Sequence, residues 1–196
     1  MPNYYAHLTF GQRVLADLPA GLSELIEQER EAFDLGCLGP DPLFFYQPIR
    51  PNAVRREGIK MHRRSALPAV ERLRQAIEDG VPMSTGYGAG FLCHLALDSA
   101  CHGYVDDRAA DGPISHMAIE GEYDRMLMED RDKKKYRNKG ARQTTVKTVY
   151  GEVTYQRMVY EVIEEDGTKR FVYLLDETLE LDHVGLILTN KIGRAS

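Results

Sequence analysis

The stretch FLCHLALDSACHGYV, residues 91–105, indicates the architecture of this chain more clearly than any other segment. It spaces His94, Asp98 and His102 four residues apart. In an α-helix, side chains at positions i, i+4 and i+8 stack along one face. Imidazole nitrogens and carboxylate oxygens are the ligands of hydrolytic zinc sites. The spacing therefore predicts a long central helix over residues 83–103 that carries a stripe of metal ligands.

A second pair of ligand-type residues follows in SHMAIEGEYDRML. His116 and Glu120 repeat the four-residue spacing, and Ser115 can cap a helix that runs from His116 to about Met128. A single histidine of this kind is usually a core or surface residue. Five ligand-type residues in two sets, close in sequence, favour a metal site.

The segments around these two helices predict a helical bundle. Helical patterns of apolar residues occur in GQRVLADL (11–18), LSELIEQEREAFDLG (22–36) and SALPAVERLRQAIEDG (65–80). GPDPLFFYQPIRPN (39–52) contains four prolines and predicts a loop with at most one helical turn, and VDDRAADGPIS (105–115) predicts another loop. Ligands on facing helices of a bundle project into one cleft.

The composition changes abruptly after the last of these helices. Residues 131–147, RDKKKYRNKGARQTTVK, are strongly basic, and the segment that follows is rich in Val, Tyr and Thr with period-2 alternation. We predict two or three antiparallel strands, roughly 144–150, 153–163 and 169–175, then a short helix and a frayed tail. The expected fold is mainly α, a helical bundle followed by a small β-hairpin or meander. The predicted domains are 1–129 and 130–196, with the boundary near Glu129–Asp130.

The basic segment has two interpretations. Its cationic side chains can contact nucleic-acid phosphates weakly, and those predicted to do so are Lys133, Lys134, Lys135, Arg137, Lys139 and Arg142. A solvated, partly disordered linker explains the same composition. We favour the linker.

Composition excludes several classes of protein. The 196 residues carry a formal net charge of -5, which gives the whole chain no general affinity for nucleic acid or anionic membranes. No stretch approaches the roughly 20 apolar residues of a membrane span, and the first residues show no secretory signal. Three cysteines without a CxxC pair are typical of reduced thiols. We expect a cytoplasmic protein.

Short motifs around the ligand-type residues resemble the bacterial zinc-dependent phospholipase C family. They are AHLTFGQRVL, GPD, KMH, HLALDSACHGYV and SHMAIE. The resemblance covers about residues 3–129 and implies an all-helical fold with two to three zinc ions. It implies eight metal ligands, namely His7, Asp41, His62, His94, Asp98, His102, His116 and Glu120.

The resemblance also implies how the ligands divide among the ions. The sets are Asp41, His62, His94 and Asp98 for the first, His102, His116 and Glu120 for the second, and His7 with Asp98 for the third. Asp98, central in its helix triplet, is the natural bridging ligand. Asp41 is implied as a general base as well as a ligand.

The last third of the chain resembles something different. DRDKKKYRNKGARQTTVKTVYGEVTYQRMVYEV and GTKRFVYLLDETLEL are similar to the early region of a transposase family of bacterial insertion sequences, over about residues 130–189. The acidic catalytic residues of such enzymes would lie further downstream. We therefore hypothesise a gene fusion that joins a C-terminally truncated helical domain to a transposase fragment.

Together these patterns predict a zinc-dependent phosphodiester hydrolase, similar to phospholipase C, in which metal-activated water attacks phosphorus. The expected substrate is a phospholipid or another phosphodiester. The alternative is a catalytically inactive fusion that binds nucleic acid weakly through its basic run.

Overall fold

The structure is a computed structural model, and it describes residues 4–46, 51–148 and 151–173. As predicted, the chain is mainly helical and a small antiparallel sheet follows the helices. The helical elements are α1 (Tyr4–Asp17), α2 (Ala20–Glu27), α3 (Arg30–Cys37), a 3-10 turn (Asp41–Phe45), α4 (Ala53–Arg63), α5 (Leu67–Glu78), α6 (Ser84–Asp111) and α7 (His116–Asp132). The strands are β1 (Tyr136–Thr148), β2 (Gly151–Ile163) and β3 (Lys169–Val172).

The chain divides into two compact units. The first takes Met1–Pro42 and Gly58–Asp124, and the second takes Leu43–Glu57 and Arg125–Ser196. All eight predicted metal ligands belong to the first unit. The domain boundary predicted near Glu129–Asp130 stays a prediction.

Helix α6 is the centre of the first unit, because α1, α2, α3 and α5 all pack against it. The apolar core around it contains Leu8, Ile26, Phe33, Leu38 and Phe91, each at most 3% exposed. Glycines allow the closest approach of α3 to α6. A Cβ atom on Gly90 would collide with the carbonyl oxygen of Phe33, and one on Gly36 would collide with that of Tyr87.

Helix α6 is longer than the sequence predicted. The prediction of a loop at residues 105–115 is wrong over most of that range, because the helix continues to Asp111. Val105 is buried and anchors the extension. Gly112 then adopts an extended conformation, with φ -133° and ψ 171°, and Pro113 cannot donate a helical hydrogen bond. The helix therefore ends at the glycine-proline pair.

The helix predicted over residues 22–36 is two helices. The break falls at Glu29, where φ is -117° and ψ is 34°. The Glu29 carboxylate accepts a hydrogen bond from the backbone N–H of Gly86 at 2.6 Å, in the first turn of α6. This tertiary contact offsets the loss of helical continuity. No local sequence pattern predicts the break.

Two further helical segments differ from the prediction. Helix α1 begins at Tyr4 rather than near Gly11, and α4 lies between the predicted loop and the next predicted helix, where no element was predicted. Asn52 caps α4, since its Oδ1 atom accepts the backbone N–H of Arg55 at 2.8 Å. The asparagine was the available signal for this helix.

The sheet has the order β1-β2-β3, with both pairs antiparallel. Tyr136 pairs with Val162, and both are buried, so β1 starts inside the basic segment. Residues 136–143, which we interpreted as part of a solvated, partly disordered linker, therefore belong to strand β1. Gly167, at φ +82°, closes the predicted turn between β2 and β3. The predicted C-terminal helix lies outside the described residues.

Candidate metal centre

Three groups of side chains place ligand atoms within 4.8 Å of one another. The groups are His7 with Asp41 and His94, His62 with His94 and Asp98, and His102 with His116 and Glu120. They contain all eight predicted ligands, although which residues hold which ion stays a prediction.

Asp98 lies at the centre of this arrangement. Its Oδ2 atom is 3.3 Å from Nε2 of His94, and its Oδ1 atom is 3.3 Å from Nε2 of His102, one helical turn away on either side. His7 approaches from α1 and places its own Nε2 3.3 Å from Asp98 Oδ1. One carboxylate therefore faces three imidazole nitrogens.

The turn after α3 brings Asp41 to the same place. Gly39 adopts φ +56°, and a Cβ atom there would strike the imidazole ring of His94, so glycine is required. Asp41 is fully buried, and its Oδ1 atom lies 2.8 Å from Nε2 of His62, in the last turn of α4. The ring of His7 stacks on that of His94 at a centroid distance of 4.4 Å.

Three of the histidines are oriented through their second ring nitrogen. Nδ1 of His94 lies 3.3 Å from the carbonyl oxygen of Cys37, and Nδ1 of His62 lies 3.0 Å from that of Gly58. Nδ1 of His116 lies 2.8 Å from Asp106 Oδ1. A carbonyl can only accept, so Nδ1 carries the proton in His94 and His62. Nε2 is then left with a lone pair for a metal.

The sequence analysis missed Asp106 and Asp124. Asp106 continues the four-residue spacing of His94, Asp98 and His102, but it lay in a predicted loop. Asp124 lies four residues after Glu120 on α7 and is 3% exposed. In both cases the extended i, i+4 periodicity was the signal.

Several buried polar atoms of the site have no hydrogen-bond partner among the residues that the structure describes. They are both ring nitrogens of His7, Oδ2 of Asp41, Oδ1 of Asp98 and Nε2 of His102. Buried polar atoms are rarely left unsatisfied in native proteins, and each such atom costs about 1–3 kcal/mol. A bound cation would satisfy the oxygens and the nitrogen lone pairs together.

The separations around Asp98 fit zinc. Tetrahedral zinc binds nitrogen and oxygen at about 2.0–2.1 Å, which places its ligand atoms about 3.3–3.4 Å apart. The three imidazole nitrogens lie 3.3 Å from the oxygens of Asp98. The donor set of imidazole and carboxylate is also the one that zinc takes in catalytic sites.

The electrostatics of the site favour a charged carboxylate. Burial raises the pKa of Asp98, but His102, His7 and His94 lower it more, so that the net pKa lies well below its ordinary value. Burial lowers the pKa of His62, yet Asp41 and the Gly58 carbonyl raise it above 6.5 overall. The Asp98 carboxylate raises the pKa of His102 above 6.5 despite partial burial.

Zinc binding is therefore expected to weaken as the pH falls. Protonated imidazole cannot bind a metal, and the raised pKa of His62 and His102 means that the loss begins above pH 6.5. We expect a loss of about tenfold per pH unit for each protonated histidine. Titration calorimetry from pH 8 to pH 5.5, in buffers with different ionisation enthalpies, measures affinity and proton release together. A constant affinity over this range would contradict the expectation.

Replacing Asp106 by alanine is expected to lower zinc affinity by about tenfold, because the imidazole of His116 loses its orienting partner. Competition with a chromophoric chelator measures the affinity. Asp107→Ala is the matched control, since Asp107 is the adjacent exposed carboxylate on the same helix. Equal affinities of the two variants would contradict the expectation.

The predicted nucleic-acid contacts lie in the second unit, and carboxylates pair with half of them. Lys133 Nζ is 3.0 Å from Asp130 Oδ1, and Lys139 Nζ is 3.2 Å from Glu161 Oε2. Lys134 pairs with Glu164. Lys135 and Arg137 are exposed, and the guanidinium of Arg142 lies over the ring of Phe171. The ion pairs reduce the positive charge available for phosphates, and nucleic-acid binding stays a prediction.

Two global expectations can be compared with the structure. Among the residues that the structure describes, no helix combines the length and apolar character needed to cross a membrane. No disulfide joins Cys37, Cys93 or Cys101 in the structure, and their reduced state stays a prediction.

Comparison with known proteins gives one family match. Residues 114–189 match the model of an uncharacterised protein family, UPF0236. No curated protein and no solved structure matches the chain.

The match overturns both resemblances drawn from the sequence. No phospholipase C or transposase family model matches, and the segment that we identified as a transposase fragment, 130–189, lies within the matched region. That region starts before His116, so it contains two of the candidate ligands together with the strands. The hypothesis of a gene fusion thereby loses the double resemblance that motivated it. The family match covers under half of the chain and carries no assigned activity.

Proposed function

We propose that the chain is a zinc-dependent hydrolase of phosphodiesters. The observation that carries the proposal is the Asp98 carboxylate, which lies 3.3 Å from the imidazole nitrogens of His7, His94 and His102. The unsatisfied buried atoms of His7, Asp98 and His102 support a cation at this place.

The ligand groups support at least two of the two to three proposed ions. The first two groups share His94, whose Nδ1 faces the Cys37 carbonyl and leaves one nitrogen for a metal. The third group shares no residue with them. His102 lies between the two parts, with Nε2 3.3 Å from Asp98 Oδ1 and 4.0 Å from Glu120 Oε1. Asp98 is therefore the proposed bridging ligand.

Adjacent zinc ions suit phosphodiester hydrolysis, because when bound they neutralise phosphoryl oxygens and make a water molecule more acidic. Asp41 is the proposed general base. Its Oδ2 atom has no hydrogen-bond partner among the described residues, while Oδ1 lies 2.8 Å from Nε2 of His62. The water oxygen forms the new bond to phosphorus and its proton passes to Asp41. The ester oxygen leaves with the electron pair of the broken bond and takes a proton from solvent.

The test is hydrolysis of a panel of phosphodiesters by the full chain. Bis(4-nitrophenyl) phosphate represents soluble diesters, and phosphatidylcholine vesicles represent phospholipids. We expect activity that EDTA removes and zinc restores, and Asp41→Asn is expected to lower it at least about 100-fold. Asp107→Asn, at an exposed position outside the site, serves as the control. A zinc-loaded chain that hydrolyses none of the diesters would contradict the proposal.

We also propose that the protein works in the cytoplasm. Its three free thiols support a reducing compartment. The alkylating reagent is applied to intact cells, and the protein is then unfolded in its presence. Mass spectrometry of the peptides is expected to show the label on all three cysteines. Recovery of a disulfide would contradict this location.

A further inference from the structure

Asp124 belongs to none of the three ligand groups, yet it is a buried acidic side chain close to them in sequence. It lies eight residues after His116 and four after Glu120 on α7. Side chains with this spacing share one helix face. Asp124 therefore points to the same side of α7 as two candidate ligands.

The carboxyl group of Asp124 binds the start of α1. Its Oδ2 atom accepts the backbone N–H of Tyr5 at 3.2 Å, and its Oδ1 atom accepts that of Ala6 at 3.0 Å. The first N–H groups of a helix have no partner within the helix, so this side chain caps α1 from a distant part of the sequence. The two bonds fix both the rotation and the axial position of the first turn.

The next residue in that turn is His7. Its imidazole is buried, stacks on His94 and lies 3.3 Å from Asp98. A small rotation of α1 would move this ring away from the other donors, because no hydrogen bond to its nitrogens is present among the described residues. The position of His7 therefore depends on what holds the start of α1.

We propose that Asp124 is a positioning residue that caps α1, holds His7 at the metal site and thereby couples α1 to the ligands on α7. This inference rests on the proposed zinc site. It assigns to Asp124 no contact with metal or substrate. It explains why a carboxyl group is buried beside the site without being one of its ligands.

The test is a double-mutant cycle in zinc affinity, measured by chelator competition on the full chain. Asp124→Ala is expected to lower affinity by about 10–100-fold. Asp124→Asn, which keeps one acceptor oxygen, is expected to lose less. In the background of His7→Ala, either substitution is expected to change affinity by less than about twofold, because the residue that it positions is gone. Asp130→Ala, at an exposed carboxylate on α7, is the control.

Additive losses in the cycle would overturn the inference, since Asp124 would then act independently of His7. Zinc binding by the wild type with unchanged affinity in both Asp124 variants would also overturn it and would leave the proposed function intact. Failure of the wild type to bind zinc would overturn the proposed function and the positioning role with it. If Asp124→Ala does not fold, the cycle is run with Asp124→Asn.

Hydrogen exchange gives a readout that does not depend on metal. Without zinc, the amides of Tyr5 and Ala6 are expected to exchange at least about tenfold faster in Asp124→Ala than in the wild type, because their acceptors are absent. Unchanged exchange of both amides would overturn the cap and therefore the inference.

Discussion

Asp98→Ala is expected to lower the zinc affinity of the chain by at least about 100-fold, and phosphodiester hydrolysis should fall with it. The carboxylate faces three imidazole nitrogens at 3.3 Å and is the proposed bridging ligand. Its removal takes away a negative charge and two donor atoms. Removing a residue that only orients a ligand typically costs about 10–100-fold in metal affinity, so removing a ligand itself should cost more.

Chelator competition measures the affinity, and circular dichroism checks that the variant folds. Asp107→Ala is the matched control, because Asp107 is an exposed aspartate on the same helix. It should bind zinc as the wild type does. A folded Asp98→Ala variant with wild-type affinity would place the metal elsewhere and would contradict the central role of this carboxylate.

Gly90→Ala is expected to destabilise the protein by about 2 kcal/mol or more. The new Cβ atom would collide with the Phe33 carbonyl oxygen and lie 2.7 Å from the backbone nitrogen of Cys37. Both obstacles are backbone of α3, which cannot rotate away as a side chain can. Overpacking of this kind costs up to about 3 kcal/mol or more, and the helical preference of alanine over glycine returns only about 1 kcal/mol.

Urea denaturation measures the free energy of unfolding. Gly103→Ala is the control, since it lies on the same helix and a Cβ atom there has no neighbour within 4 Å. That substitution should stabilise the protein by about 0.5–1 kcal/mol. Equal stabilities of the two variants would show that α3 and α6 are not packed as closely as the structure places them.

The features that the sequence predicted best are local. The stripe of His94, Asp98 and His102 follows from helical periodicity alone, and so does the pair on α7. The strands were predicted from period-2 alternation, which is also local. The start of β1 was not predicted, because Tyr136 is buried by pairing with Val162, which lies far along the chain.

Features that depend on tertiary contacts were missed. The break at Glu29 depends on a hydrogen bond to Gly86, 57 residues away. The cap that Asp124 gives to α1 spans 118 and 119 residues. Neither contact leaves a pattern in a short window of sequence, although the i, i+4 spacing from Glu120 to Asp124 was visible.

The family resemblances failed for a physical reason. Any helix that presents metal ligands along one face spaces them by four residues, and imidazole and carboxylate are the common donors for zinc. Motifs such as HLALDSACHGYV therefore report helix geometry and donor chemistry rather than descent.

The most direct test of the metal site is the zinc content of the purified full chain. Elemental mass spectrometry measures this content after dialysis against zinc-free buffer. The geometry predicts two or more zinc ions per chain, and loss of most of them when His94 and Asp98 are both changed to alanine. Less than one zinc ion per folded chain, after reconstitution with excess zinc, would contradict the metal site and the proposed hydrolase function.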